Sequence, residues 1–190
     1  MALGTFSGNP KTEWLIDANG EDRDMRLLED FTFTDPAGRA WVAPAGSVVN
    51  GASIPRPLWS SVGSPYTDDY RRASVVHDIA VATDGVVRKE ADVMFLHACR
   101  AGGCTEVQAR ILYAGVRIGA WADTSLPWWT LSSRALLFNQ PMDVPTLEEQ
   151  FMLGKLTEIS DELEVLPDDV EATPEELDAI IERHLHIVEE

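Results

Sequence analysis

The spacing at which apolar residues recur changes once along this chain, and that change restricts the fold to strands followed by helices. Between residues 11 and 49 the repeat is two. Phe31 and Phe33 alternate with Thr32 and Thr34, the pattern of a strand with one buried face. The turn signals Asp35-Pro36-Ala37-Gly38 and Pro44-Ala45-Gly46 separate this run from Trp41-Val42 and then from Val48-Val49, so a small antiparallel sheet is expected. Pro55, Pro57 and Pro65 allow only a short helical turn around Leu58-Trp59. Beyond Thr67 the repeat is helical. Helices are predicted from about Asp68 to Ala82 with Thr67 as N-cap, from Arg88 to Ala101 ending at Gly102-Gly103, and from Thr105 to near Trp121. In the third, Val107, Ile111, Tyr113, Ala114 and Ile118 mark the inward side. The class is α+β: a small antiparallel β-sheet covered by three helices.

Two more helices carry their own start signals. Thr146-Leu147-Glu148-Glu149 and Thr173-Pro174-Glu175-Glu176 both have the capping-box form, and the second adds proline at the first helical position. Met152, Leu156, Ile159, Leu163 and Leu166 form one apolar stripe, and Leu177, Ile180, Ile181, Leu185 and Val188 another. The division expected is a core domain over residues 1–142 and an acidic, two-helix extension over 143–190. Such helices are unstable alone in water. They pack on each other, on the domain, on a second copy or on another protein, and Leu156, Ile159, Leu163, Leu177, Ile181 and Leu185 are the candidate partner-binding residues. Pro127-Trp128-Trp129, between the two parts, is either a docking site or the aromatic finish of a core.

Charge is distributed as unevenly as periodicity. Residues 143–190 hold 16 of the 32 acids against only Lys155 and Arg183, a net of -14 out of -17. Nucleic acid is excluded as a partner by this balance, because phosphate binding needs clustered cations. A basic protein surface is the matching target. The sequence contains no run of 18 apolar residues, and its first residues lack the basic and apolar regions of a secretory signal, so a membrane span is not expected and synthesis in the cytoplasm is. Cys99 and Cys104 have neither Cys-x-x-Cys nor zinc-ligand spacing and read as free thiols, one in a core and one at a helix start.

The chemistry-bearing residues lie in the first half: Asn50-Gly51-Ala52-Ser53-Ile54-Pro55, His77-Asp78, and Arg88 with Asp92 four residues on. Polar groups among apolar helical residues are costly to bury unless paired. His77 and Asp78, as helical neighbours, point to different sides, whereas Arg88 and Asp92 are spaced for an ion pair. Three readings stand. His77, Asp78 and Asp92 would together suit a divalent ion of the zinc or manganese class that activates water. Without metal, His77 would serve as general base, oriented by Asp78 or Asp92, with Ser53 as nucleophile or donor and Asn50 as a positioning group. In the third reading His77 and Ser53 tie the sheet to the helices through satisfied hydrogen bonds. His97, His184 and His186 lack companions at ligand spacing.

The order Val42-Ala43-Pro44-Ala45-Gly46, Asn50 to Pro55 with Leu58-Trp59, Ala73 to His77-Asp78, Arg88 to Asp92 and Phe95, then Tyr113 to Arg117 and Gly119 resembles domain-of-unknown-function family 1353 over about residues 5–122. The resemblance implies a bacteriophage or prophage origin and a virion-associated or accessory role. Asn50 stands where that family usually shows Asp. The leading expectation is a phage accessory protein with a hydrolase-like domain that acts on a cell-envelope polymer through His77, Asp78 and Asp92. Its rivals are a non-catalytic virion or assembly protein whose acidic tail binds neighbouring subunits, and an inhibitor of a host protein. Other virion proteins are the expected partners, and the particle itself is a second expected location.

Overall fold

The structure, a computed structural model, describes residues 3–16, 24–50, 54–55, 58–59, 69–125 and 146–185, with the side chains of 124, 125, 147 and 148 excepted. Among the described residues six short strands come first: β1 (Thr5–Phe6), β2 (Thr12–Leu15), β3 (Asp24–Leu27), β4 (Phe31–Thr34), β5 (Ala40–Ala43) and β6 (Val48–Val49). Five helices follow among the described residues: α1 (Arg71–Ala82), α2 (Arg88–Gly102), α3 (Glu106–Ser125), α4 (Leu147–Glu164) and α5 (Pro174–Leu185). This is the α+β order read from the sequence.

The strands form two antiparallel three-stranded sheets, β1-β4-β5 and β2-β3-β6, where a single sheet was expected. Alternation in β4 works as predicted: Phe31 and Phe33 are buried while Thr32 and Thr34 are partly exposed. Phe6 closes over them with ring centroids 5.7 and 4.8 Å away. The β4–β5 hairpin places Phe33 opposite Trp41. Its turn is held by Asp35, whose carboxylate accepts from the Ala37 and Arg39 N–H groups and from the Trp41 indole at 2.9 Å.

The three central helices do not cover the sheets equally. α1 makes the main contact with β4, β5 and β6, α2 packs on α1 and reaches β1, and α3 has α2, α4 and α5 as its main neighbours. The inward side of α3 is correspondingly broader than the sequence stripe: Ala109, Arg110, Leu112, Tyr113, Ala114, Val116 and Ile118 are buried, whereas Val107 and Ile111 are only partly so. α1 begins after Tyr70, and the predicted cap Thr67 lies outside the described residues, as do Pro127-Trp128-Trp129 and His186.

α4 and α5 pack on each other as a hairpin and on α3, two of the arrangements that the sequence left open, with both capping boxes in place. At α4 the Thr146 hydroxyl accepts from the Glu149 N–H and the Glu149 carboxylate accepts from the Thr146 N–H. Thr173 and Glu176 repeat the arrangement at α5. Met152, Leu156, Ile159, Leu163, Leu177, Ile181 and Leu185 belong to the same apolar core as Phe95, Leu112 and Ile118. The partner-binding expectation for Leu156, Ile159, Leu163, Leu177, Ile181 and Leu185 is therefore corrected: α3 covers that face within the chain. The boundary expected at residue 142 falls outside the described residues, and the helices beyond it share the core of the helices before it.

Candidate functional site: a buried ionic centre at the junction of four helices

His77 on α1 and Asp92 on α2 meet. Both are 0% exposed, and the imidazole Nε2 lies 2.8 Å from Asp92 Oδ1. Arg88, one helical turn before Asp92, donates its Nε to the same oxygen at 3.1 Å, the i,i+4 pair that the spacing predicted. From α3, Arg117 donates to the second oxygen, Oδ2, at 3.2 Å. Asp92 thus receives three donors from three helices, which is how a buried carboxylate is accommodated.

The network continues into the tail. Arg117 Nε lies 3.3 Å from Oδ1 of Asp178 on α5, Tyr113 donates its hydroxyl to that oxygen at 2.8 Å, and Lys89 Nζ stands 2.6 Å from Oδ2. Two buried acids and their cationic partners therefore tie α1, α2, α3 and α5 together. Burial, seconded by the Asp178 carboxylate, raises the Tyr113 phenol far above its ordinary range, so it stays a donor. Hydrogen bonding to Asp178 raises the Lys89 ammonium. Burial is the largest influence on His77 and lowers it, outweighing the upward pull of Asp92, while Arg88 adds to the lowering. A neutral imidazole whose Nε2 hydrogen points at a carboxylate has its lone pair on Nδ1. That Nδ1 is buried and has no partner among the described residues.

The other expected site residues lie elsewhere. Asp78 points to a different side of α1 and accepts the Asn50 backbone N–H at 2.8 Å, so Asn50 contributes its main chain to this contact. Ser53 lies outside the described residues. Ile54, next along, packs on α3, since a Cβ at Gly115 would stand 3.4 Å from its methyl group. His77, Asp78 and Asp92 do not form the metal-binding set that the sequence suggested. Asp92 already serves His77 and two guanidinium groups, whose charge opposes a divalent cation, and Asp78 faces away. Among the described residues no cluster of three or more His, Cys, Asp or Glu has metal-binding geometry.

Sequence reasoning missed a second ionic clamp. Arg110 on α3 is fully buried, and its guanidinium donates to the carbonyls of Leu163, Leu166, Pro167 and Val170 at 3.4, 3.2, 2.9 and 2.6 Å. It caps the carboxyl end of α4, where unpaired carbonyls and the negative helix dipole attract a cation. Arg100 supports it, donating to Glu106 at 2.9 Å and to the Ala172 carbonyl at 2.7 Å. Burial would push the Glu106 carboxyl up, but Arg100 chiefly, with Ala172 and Arg110, holds it below its ordinary range. The signal available was the run Arg110, Tyr113, Arg117, which recurs at helical spacing inside an apolar helix. Asp178 similarly interrupts the stripe of α5. Of the remaining histidines, His184 bonds Glu162 across the hairpin at 2.8 Å.

This fold, with paired small sheets, a helical layer and an enclosed His-Asp centre, has a recognisable sequence class. Residues 25–116 match the family described as "Protein of unknown function (DUF1353)". This segment holds His77, Asp78, Arg88 and Asp92, and over it the resemblance drawn from the motifs holds. The chain is 35% identical over 135 residues to the uncharacterized protein y4jT of Sinorhizobium fredii (strain NBRC 101917 / NGR234), covering 70% of this chain and 38% of that protein. It is 33% identical over 102 residues to the uncharacterized protein y4iH of the same strain, covering 54% of this chain and 43% of that protein. The chain thus spans less than half the length of either relative. No solved structure matches. Among the described residues no helix is long and apolar enough to cross a membrane.

Proposed function

We propose that this chain is a non-catalytic assembly protein of phage type, which presents the acidic outer face of its α4–α5 hairpin to a basic surface on a neighbouring virion protein. The observation that carries this reading is the orientation of the hairpin. Its apolar stripe is covered within the chain, and Glu158, Asp161, Glu164, Asp168, Asp169, Glu175, Glu176 and Glu182 are exposed. The two cations of the hairpin are engaged, Lys155 with Glu158 at 3.0 Å and Arg183 with Glu162. The His77–Asp92 centre fits the same reading, because buried charges shared among helices hold those elements together.

Removing the hairpin is not a clean test, since its absence would expose the face of α3. Neutralisation is: Asp161, Glu164, Asp168, Asp169, Glu175 and Glu182 changed together to their amides leave the ion pairs and capping boxes described above intact. The variant should melt within a few degrees of the parent, as exposed substitutions generally do, and should fail to co-sediment with phage particles at low salt. Undiminished incorporation would refute the role of this face.

A second reading, a hydrolase-like domain acting on a cell-envelope polymer, is favoured by one observation. Asp92 fixes His77 in the tautomer of a general base, and Nδ1 carries an unengaged lone pair. Clearing of peptidoglycan by the purified protein, lost in His77→Gln and in Ser53→Ala at unchanged melting temperature, would favour it over the first. Absence of clearing by the parent protein would remove it.

A further inference from the structure

We propose that Cys99 and Cys104 are a latent disulfide pair, reduced in a thiol-rich compartment and closed by an oxidising thiol–disulfide buffer, which staples the carboxyl end of α2 at the point where Arg100 grips the tail.

Both cysteines are free and buried, with Cys104 9% exposed and Cys99 0%. They occupy the two ends of one helix-terminating motif. Gly103 has φ +110, its N–H donates to the Arg100 carbonyl, and the Cys104 N–H donates to the Cys99 carbonyl at 3.1 Å. In this motif the side chains on either side of the left-handed residue meet over the helix end. Here the two side chains are thiols, both buried and free. With standard bond lengths, a direct N–H to carbonyl bond holds the two α-carbons within about 7 Å, the limit for a disulfide. The turn is also braced from outside: a Cβ on Gly102 would stand 2.4 Å from the Asp69 carbonyl oxygen. The backbone is therefore already bent to the shape that the bridge requires.

The order of events follows from burial. Removal from water, and the neighbouring Cys104, push the Cys99 thiol well above its ordinary range, and a protonated thiol is a poor nucleophile. Cys104, the more exposed of the two, is the entry point. Its thiolate attacks one sulfur of oxidised glutathione, forming a mixed disulfide and releasing one glutathione. Cys99, having lost its proton, then attacks the Cys104 sulfur and displaces the second glutathione. The two protons end on the glutathione thiols, and the two electrons reduce the oxidant. Arg100 lies inside the bridged turn and donates to Glu106 and to the Ala172 carbonyl, so the staple would restrain the residue that anchors the hinge between α4 and α5.

The test uses the full chain incubated in reduced and in oxidised glutathione buffers. Oxidised protein, unfolded in acid, should have lost both titratable thiols and the mass of two hydrogens. Trypsin, which cuts after Lys89, Arg100 and Arg110, should release residues 90–100 joined to residues 101–110, a species that disappears on reduction. Amide exchange over the hinge residues 165–172 should slow severalfold in the oxidised form. Cys104→Ser should abolish the joined peptide, and Cys104→Ala checks that the loss does not depend on the hydroxyl. Two thiols still titratable after oxidation, a stable glutathione adduct on Cys104, or a disulfide-linked dimer would each overturn the pairing. An oxidised protein with unchanged hinge exchange would overturn its coupling to the tail.

Discussion

Replacing Arg110 with methionine removes a guanidinium but keeps most of the volume of its stem, and so isolates the polar contribution of the clamp. Four carbonyls, those of Leu163, Leu166, Pro167 and Val170, lose their common donor, and Glu106 keeps only Arg100 and the Ala172 N–H. A buried acceptor left without a partner costs about 1–3 kcal/mol. Only the Leu163 contact is wholly enclosed, whereas the others border solvent, so water recovers part of the loss. The net expectation is about 3–5 kcal/mol, comparable with breaking a buried charge pair. For a chain of this size that corresponds to a fall in melting temperature of roughly 10 °C. Urea denaturation followed by circular dichroism measures it, and tryptic release of the hairpin should become faster as well. Arg110→Lys, which supplies one ammonium to the same carbonyls, should recover part of the stability. A loss under about 1 kcal/mol in the methionine variant would refute the view that this side chain anchors the hinge.

Asp92→Asn leaves His77, Arg88 and Arg117 facing a neutral amide, and should cost about 3–5 kcal/mol in denaturant unfolding; a neutral outcome would show that the carboxylate is not the centre of the network. His77 is held neutral in the folded state, mainly by burial, so its folded pKa lies below the ordinary 6.5. The unfolded chain therefore binds the proton more readily, its contribution to stability is complete above pH 6.5, and it declines as pH falls from there toward the folded value. His77→Gln should flatten that part of the stability–pH curve, and an unchanged slope would contradict the assignment. Tyr113→Phe deletes the bond to Asp178 and should cost about 1–2 kcal/mol, read from the shift in urea midpoint at constant m-value.

Much of this arrangement was legible because local rules wrote it. Apolar alternation in Phe31–Thr34, the Asp35 turn, the capping boxes at Thr146 and Thr173 and the glycine stop after α2 each depend on interactions within a few residues. So does the Arg88–Asp92 pair. The motif order that marks the DUF1353 family was equally visible, and it pointed to His77 and Asp92. What spacing could not supply was the partner of each group. Asp78 sits beside His77 in the chain, yet it bonds the Asn50 main chain, because adjacent helical residues diverge by about a hundred degrees.

The sequence by itself determined the α+β class, the order of strands before helices and the capping boxes of α4 and α5, since these follow from periodicity and from hydrogen bonds over short separations. Tertiary structure alone decided that Asp92 is shared by three helices, that Arg110 on α3 closes the end of α4, and that the tail's leucines face α3 and not a partner. Those outcomes rest on contacts between residues tens of positions apart, such as Arg110 with Val170 and Tyr113 with Asp178. Such pairings leave no periodic trace, because a buried charge is tolerated wherever the fold delivers its counter-charge, and the chain's local pattern does not encode where that is.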